Sequence, residues 1–386
     1  MAEPSVAAVV GVLESAYPPA LAASWDAVGL VCGDPADTVR RVLFAIDPVE
    51  AVVDEAIASG ASLLVTHHPL YLRGTSSVAA DSAKGRVVHR LIRAGIGLYV
   101  AHTNADHARP GVSDALAGAL GLTELRPLDP LPAPALDKIV TFVPVADAEK
   151  VLDALAAAGA GQLGDYARCA WTSSGTGTFL PGEGARPSIG AIGAIETVDE
   201  TRVEMVLPRG RRFEVVTALR GAHPYEEPAF DVFELANWPG DTGTGRIGVL
   251  PSPMTLAEFA VLVGNSLPST SGGGRVAGDL ARPVRTVAVC GGAGDAYLRQ
   301  ATDSGADAYV TADLRHHLVS EHLSDGGCAV VDMPHWATEW PWLPVAAAEL
   351  GAALERHGTT VSTEVSVRPT DPWSGRVESP SRKEPR

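Results

Sequence analysis

Short apolar, β-branched runs alternate along this chain with longer stretches whose apolar residues recur at helical spacing. Up to about residue 130, "RRVLFAID" (40–47) and "SLLVT" (62–66) read as strands, and "PVEAVVDEAIASG" between them reads as a helix stopped by Gly60. "KGRVVHRLIRAG" is then helical, "IGLYVAH" is a strand and, beyond the loop "TNADHARPG", "VSDALAGALG" starts a further helix. A first helix is expected near residues 4–16. From about 240 to 366 the rhythm returns: the strand "RTVAVCGGAGD" runs into a glycine-rich turn, "AYLRQATDSG" is helical, "ADAYVTAD" and "CAVVDM" are strands, and "LPVAAAELGAALERHG" is a long helix. This alternation predicts βαβ units and mostly parallel sheets covered on both faces, in two lobes at the two ends of the chain.

The middle reads differently. Proline-rich "LDPLPAPALD" (128–137) marks a boundary. After it, "KIVTFVP", the helix "VADAEKVLDALAAAG", "RVEMVLP" and "FEVVTALRGAHPYEEPAFDVFEL" predict a small α+β domain of ferredoxin-like type that closes near Ala236. The expected division is a first α/β lobe over 1–130, an inserted α+β domain over 137–236, a second α/β lobe over 240–366, and a flexible, polar, proline-rich tail over 367–386.

Composition narrows the function. At 386 residues the chain is long for a single domain, and 46% hydrophobic against 20% charged residues makes it globular. A formal charge of −16 argues against a sequence-independent nucleic-acid binder and suits a protein that concentrates cations. Cys32, Cys169, Cys290 and Cys328 form no Cys-x-x-Cys pair, which points to reduced thiols rather than a disulfide scaffold or a cysteine zinc site. With no basic leader and no uncharged run long enough to span a bilayer, the expectation is a soluble, cytoplasmic protein without a membrane partner.

Three stretches could carry chemistry. "THHP" (66–69) ends a strand with His67 and His68, and Pro69 keeps His68 extended. Adjacent extended residues point to opposite sides, so the pair suits one imidazole for each of two neighbouring ions, or else is a solvated strand end. "YVAHTNADHARPG" (99–111) offers His102, Asn104, Asp106 and His107 in a loop after a strand, with an ordinary Asx-turn aspartate as the plain alternative. In "DMPHWATEWPW" (332–342), His335 and Glu339 stand i, i+4, one face of a helix, while Pro341 and Pro344 suit the first turn of the next helix. Together the three hold an inventory of nitrogen and oxygen ligands suited to two divalent ions with open water positions.

"SWDAVGLVCGDP" (24–35), "THHPL", "AHTNADHARPGVSDAL", "TADLRHH" (311–317) and "HWATE" together resemble the ring-forming proteins with a dinuclear metal centre often labelled GTP cyclohydrolase type 2 homologues, among them the Ngg-interacting-factor-like proteins. The match runs in order over nearly the whole chain, and "GAHPYEEPAFDVFEL" (221–235) resembles the CutA-like inserted domain of longer bacterial members. Ala27 and Ala312 depart from the residues many members carry there. The resemblance implies two similar αβα lobes forming one cleft-bearing domain and assembly as a homohexamer. It also implies metal ligands His67, His68, Asp106, His335 and Glu339, with the glutamate bridging both ions.

His316 and His317 would then line the cleft, and with His102 they are candidates to move protons. The ligands accept zinc, iron, manganese or cobalt. The expected activity is metal-dependent hydrolysis of a nucleotide or phosphoester; the alternatives are a non-catalytic, metal-dependent oligomeric scaffold or regulatory protein, and metal storage. Three further features have plain readings: "CGGAGD" (290–295) as a tight turn rather than a phosphate cradle, His223 with Glu226 and Glu227 as packing groups rather than ion ligands, and Trp336, Trp340 and Trp342 as packing near the cleft or a subunit contact.

Overall fold

Three β-sheets organise the chain in the computed structural model, which describes residues 3–377. The first sheet contains β1 (Gly29–Cys32), β2 (Arg41–Ala45), β3 (Leu63–Thr66), β4 (Gly97–Val100) and β15 (Ser362–Val365), in the order β1-β4-β3-β2-β15. β15, β2, β3 and β4 are parallel, and β1 runs antiparallel beside β4. β3 and β4 are buried along their whole length, as parallel strands covered on both faces must be. Alternate residues serve two cores. Phe44, Val65 and Tyr99 join Val9 and Leu13 of the helix Val6–Ala16 and Leu343 and Leu350 of the helix Trp342–Arg356. Leu43, Leu64 and Leu98 pack instead with the helices Glu50–Ser59 and Ala83–Ala94. The helix Glu50–Ser59 stops where the sequence predicts, with Gly60 left-handed at φ 68°.

The second sheet has the order β11-β14-β13-β12-β10-β5. Its strands are β5 (Thr123–Pro132), β10 (Pro239–Thr255), β11 (Arg275–Ala277), β12 (Pro283–Ala293), β13 (Ala308–Ala312) and β14 (Ala329–Asp332). β12, β13 and β14 are parallel, with antiparallel neighbours β10 and β11. The two sheets trade edge strands: β5, from the first part of the chain, lies at the edge beyond β10, and β15, from the last part, returns to β2. Residues 128–132, the start of the proline-rich stretch read from sequence as a boundary, belong to β5, and only residues 133–135 separate it from the next strand. Prolines are tolerated there because the strand is at an edge.

The third sheet has the order β7-β8-β6-β9, from β6 (Leu136–Pro144), β7 (Ala170–Phe179), β8 (Glu196–Pro208) and β9 (Phe230–Glu234). All its pairings are antiparallel. With the helices Ala148–Ala157 and Arg212–Ala222 the chain order is βαββαβ, the ferredoxin-like arrangement expected for the insert. Val151, Leu155, Val215 and Leu219 of the helices pack on Ile139, Val203 and Met205 of the strands.

Two compact units result: one runs to Leu131 and resumes at Asp241, the other is Pro132–Gly240. Beyond β15, the Ser366 carbonyl accepts from Trp340 Nε1 at 2.9 Å, and the Thr370 hydroxyl donates to Asp47. The part of the expected flexible tail from residue 378 lies outside the described residues. No helix among the described residues is long and apolar enough to cross a membrane.

Candidate metal centre

Every histidine and carboxylate of the centre stands just past the carboxyl end of a strand or in the short helix that follows, where open α/β sheets collect functional groups. His67 and His68 follow β3, His102 and Asp106 follow β4, and His335 and Glu339 begin and end the short helix His335–Glu339 after β14. The helix Trp342–Arg356 starts afresh beyond Pro341 and carries Pro344 in its first turn, so neither proline interrupts the helix His335–Glu339.

The doublet differs from the extended pair expected. Its amides still bond to the strand beside it, His67 to the Ala45 carbonyl and His68 to that of Ile46, but the backbone bends at both residues. Both rings therefore turn to the same place, with centroids 5.1 Å apart. Ligand atoms of His67, His68 and His102 lie within 4.8 Å of one another, as do those of His68, His335 and Glu339, so these groups could hold a metal ion.

Each inward-facing imidazole is tied from behind through Nδ1. His67 meets the Ala101 carbonyl at 2.9 Å, His68 meets Asp47 at 2.7 Å, His102 meets Asp26 at 2.9 Å and His335 meets Asp313 at 2.7 Å. Those oxygens can only accept, so the ring hydrogen sits on Nδ1 and Nε2 is turned inward, the arrangement of histidines that ligate metals. Asp26 is in turn held by the amides of Ala27 and Thr103, at 2.7 and 3.0 Å. Asp26, Asp47 and Asp313 are isolated acids in the sequence, and only the fold reveals them as partners of the histidines.

Glu339 sits at the middle and is 3% exposed. Its Oε1 is 2.9 Å from His335 Nε2 and 3.5 Å from His67 Nε2, and its Oε2 is 3.2 Å from His68 Nε2. None of the contacts to the buried Oε2 is a hydrogen bond. Asp106 reaches within 3.6 Å of His67 Nε2. Gly292 makes room for this: its φ is +69°, and a Cβ there would lie 2.4 Å from Glu339 Oε1 and 3.1 Å from His335 Nε2. "CGGAGD" is not the tight turn expected: residues 290–293 close strand β12, and Gly292 within it clears space for the glutamate.

Charge at the centre is lopsided. Burial pulls His68 and His335 down, but Glu339 with Asp47 pushes His68 up to about 11, and Glu339 with Asp313 pushes His335 up to about 10. His67 is raised by Glu339 and Asp106 against its burial. Glu339 is held well below the usual carboxylate range by the three imidazoles although burial opposes this. His102 is lowered by burial and by His67. The centre calls for positive charge among its inward nitrogens, and its donor set and bare carboxylate oxygen fit divalent cations.

The other expected residues lie elsewhere. His107 turns away, with Nδ1 2.6 Å from the Leu21 carbonyl. His316 and His317 are exposed at the start of the helix His316–Ser324, and their rings pack on each other at 5.1 Å. Among the described residues no hydrogen bond or ring contact joins them to the cluster. Trp342 is buried between Tyr17 and His67, at 5.4 and 5.5 Å, and so backs the centre, while Trp25 stands 60% exposed against the edge of His102 at 5.9 Å.

Scaffold and cluster together define an α/β protein with a histidine–carboxylate site able to hold a metal ion. Residues 4–372 match the family described as Duf34/NIF3 (NGG1p interacting factor 3), and the chain belongs to that family. It is 51% identical over 370 residues to a protein of Mycobacterium leprae named "GTP cyclohydrolase 1 type 2 homolog", covering 96% of this chain and 95% of the relative. A Streptomyces coelicolor protein of the same name is 39% identical, with 97% and 96% covered. Among solved structures, a Bacillus cereus protein related to NIF3 superposes with a TM-score of 0.76 at 40% identity, over 97% of this chain and 99% of that one.

Proposed function

We propose that the protein holds two divalent ions with His67, His68, Asp106, His335 and Glu339 and hydrolyses a nucleotide or another phosphoester. The observation that carries the reading is the approach of His68 Nε2 to His335 Nε2, at 3.3 Å. Both rings already give Nδ1–H to carboxylates, so without an added proton or cation two lone pairs face each other beside buried Glu339. The two oxygens of Glu339 turn to different imidazoles, which supports a carboxylate shared between two ions. Such ions supply Lewis acidity and lower the pKa of water at neutral pH; zinc, iron, manganese and cobalt all suit these ligands.

The chain's own residues supply the rest. His102, oriented by Asp26, keeps Nε2 free to take a proton. Trp25 offers an exposed indole beside it for a flat base to stack on. His316 and His317, just beyond Asp313, are proposed to meet the outer part of the substrate. The name carried by the relatives supports GTP as the first nucleotide to test. We also propose a cytoplasmic location, in keeping with four free cysteines, and a homohexamer of 39.9 kDa chains, about 240 kDa in all.

Metal content per chain, measured by mass spectrometry on protein purified without tags or chelators, tests the centre. About two ions in wild type, falling in His68→Ala and Glu339→Ala, are expected, followed by turnover of GTP or of a chromogenic phosphodiester that Glu339→Ala abolishes. No bound ion, or content indifferent to both substitutions, overturns the reading. Loaded protein that leaves both substrates intact makes it a non-catalytic, metal-dependent scaffold or regulator.

A further inference from the structure

The ferredoxin-like unit contains a cavity of about 650 Å³ that shares no residue with the metal centre. Phe142, Phe179 and Tyr225 give it aromatic walls, the last two edge-to-face at 5.6 Å. Into it faces Glu200, only 8% exposed, whose Oε1 accepts the Tyr225 hydroxyl at 2.9 Å. Among the described residues that is the carboxylate's one hydrogen bond, which leaves Oε2 for another donor. Gly177 opposite makes the room: its φ is not left-handed, but a Cβ there would come 2.2 Å from Glu200 Oε2.

The charges on the wall are unbalanced. Glu226 and Glu227 add two carboxylates, while Arg202, the one cation lining it among the described residues, is drawn off by Glu204 at 2.9 Å and lies over the Phe142 ring at 5.6 Å. A metal ion is the wrong occupant. His223 has both ring nitrogens engaged, Nε2 with the Phe142 carbonyl at 2.9 Å and Nδ1 with the Tyr225 amide at 3.1 Å, so it packs the turn as the sequence suggests. Among the described residues no three metal-ligating side chains converge here.

We propose that this cavity binds a small organic cation, an ammonium or amidinium group on an apolar, flat body. The charged end meets Glu200, and the body lies against Phe142, Phe179 and Tyr225, where the faces of the rings also favour positive charge. The ferredoxin-like unit is then a ligand-binding module in its own right.

The test uses full-length, metal-loaded protein and three probes that share one body and differ in charge: phenethylammonium, 2-phenylethanol and phenylacetate. Binding is followed by saturation-transfer NMR and titration calorimetry. Phenethylammonium should bind at about millimolar or tighter, with the alcohol weaker and phenylacetate weaker by at least tenfold. Glu200→Gln, which can still accept from Tyr225, should cut the cation's affinity tenfold or more and leave the alcohol's unchanged. No binding of the amine to wild type, equal binding of amine and acid, or an affinity untouched by Glu200→Gln overturns the proposal. Should the variant unfold the unit, visible in its melting curve, the three-probe comparison on wild type decides alone. Metal content is measured in parallel, so failure here is separable from failure of the metal reading.

Discussion

Gly292→Ala is the most informative single change at the centre, because its effect separates into two parts. One is backbone strain: a residue with a side chain at φ +69° costs about 1–2 kcal/mol. The other is encroachment on the site, since the new Cβ at 2.4 Å from Glu339 Oε1 drives the carboxylate back by about 1 Å to reach ordinary contact at 3.4 Å. Metal sites tolerate displacements of about 0.2 Å, so a shift of this size should cost at least about tenfold in affinity. Gly305→Ala supplies the control: its φ is +84°, but a Cβ there meets nothing within 4 Å. Calorimetric melting and metal competition with a chromogenic chelator read the two parts. Gly305→Ala should melt roughly 2–5 °C lower and keep full affinity, whereas Gly292→Ala should lose stability and metal together. A Gly292→Ala protein that keeps wild-type affinity would refute the assignment of Glu339 to the centre.

Three further outcomes follow from the same geometry. Asp47→Ala removes the oxygen that fixes the His68 ring and should weaken metal binding about 10–100-fold in a chelator competition, whereas Thr370→Val, which touches only the far oxygen of Asp47, should change it little; equal effects would undo the orienting role. Stripping the ions with a chelator should lower the melting temperature of the wild type, and ligand at a hundredfold excess over its Kd should restore about 2.7 kcal/mol; a melting curve indifferent to metal argues against a site in the fold. Asp137 is buried between Arg212 and Arg209, at 2.7 and 2.9 Å, and Arg212 above all holds its carboxyl below the usual range. A lowered folded pKa stabilises the unit fully above the unfolded value of about 3.9 and is lost as pH falls through the folded value. Asp137→Asn should therefore lower stability at pH 7 and flatten the acid limb of the melting profile; an unchanged limb would count against the pair.

What the sequence reveals here depends on whether a group repeats or stands alone. His67 with His68 and His335 with Glu339 are visible because they are doublets or helical pairs set against apolar strands. Asp47 and Asp313 are single acids whose meaning arises only when tertiary packing brings them behind a histidine. Both nonetheless lie within two residues of the carboxyl end of a strand, so the positional rule that exposes the histidines, applied to carboxylates, finds them too. The doublet His316–His317 looks in sequence like His67–His68, yet it opens an exposed helix and turns outward. Strand β5 was hidden by its prolines, which signal a linker unless one knows that the strand ends up at a sheet edge.

The exchange of edge strands has a consequence for how the protein is made. The first sheet is finished by its last-translated strand, so a nascent chain that has emerged past Glu339 already carries every proposed metal donor but still leaves one side of β2 open. That side belongs to an apolar strand buried over four of its five residues, the kind of unpaired edge that recruits other chains. A product ending near residue 360 would keep every proposed donor and leave that edge of β2 open to pair with other chains.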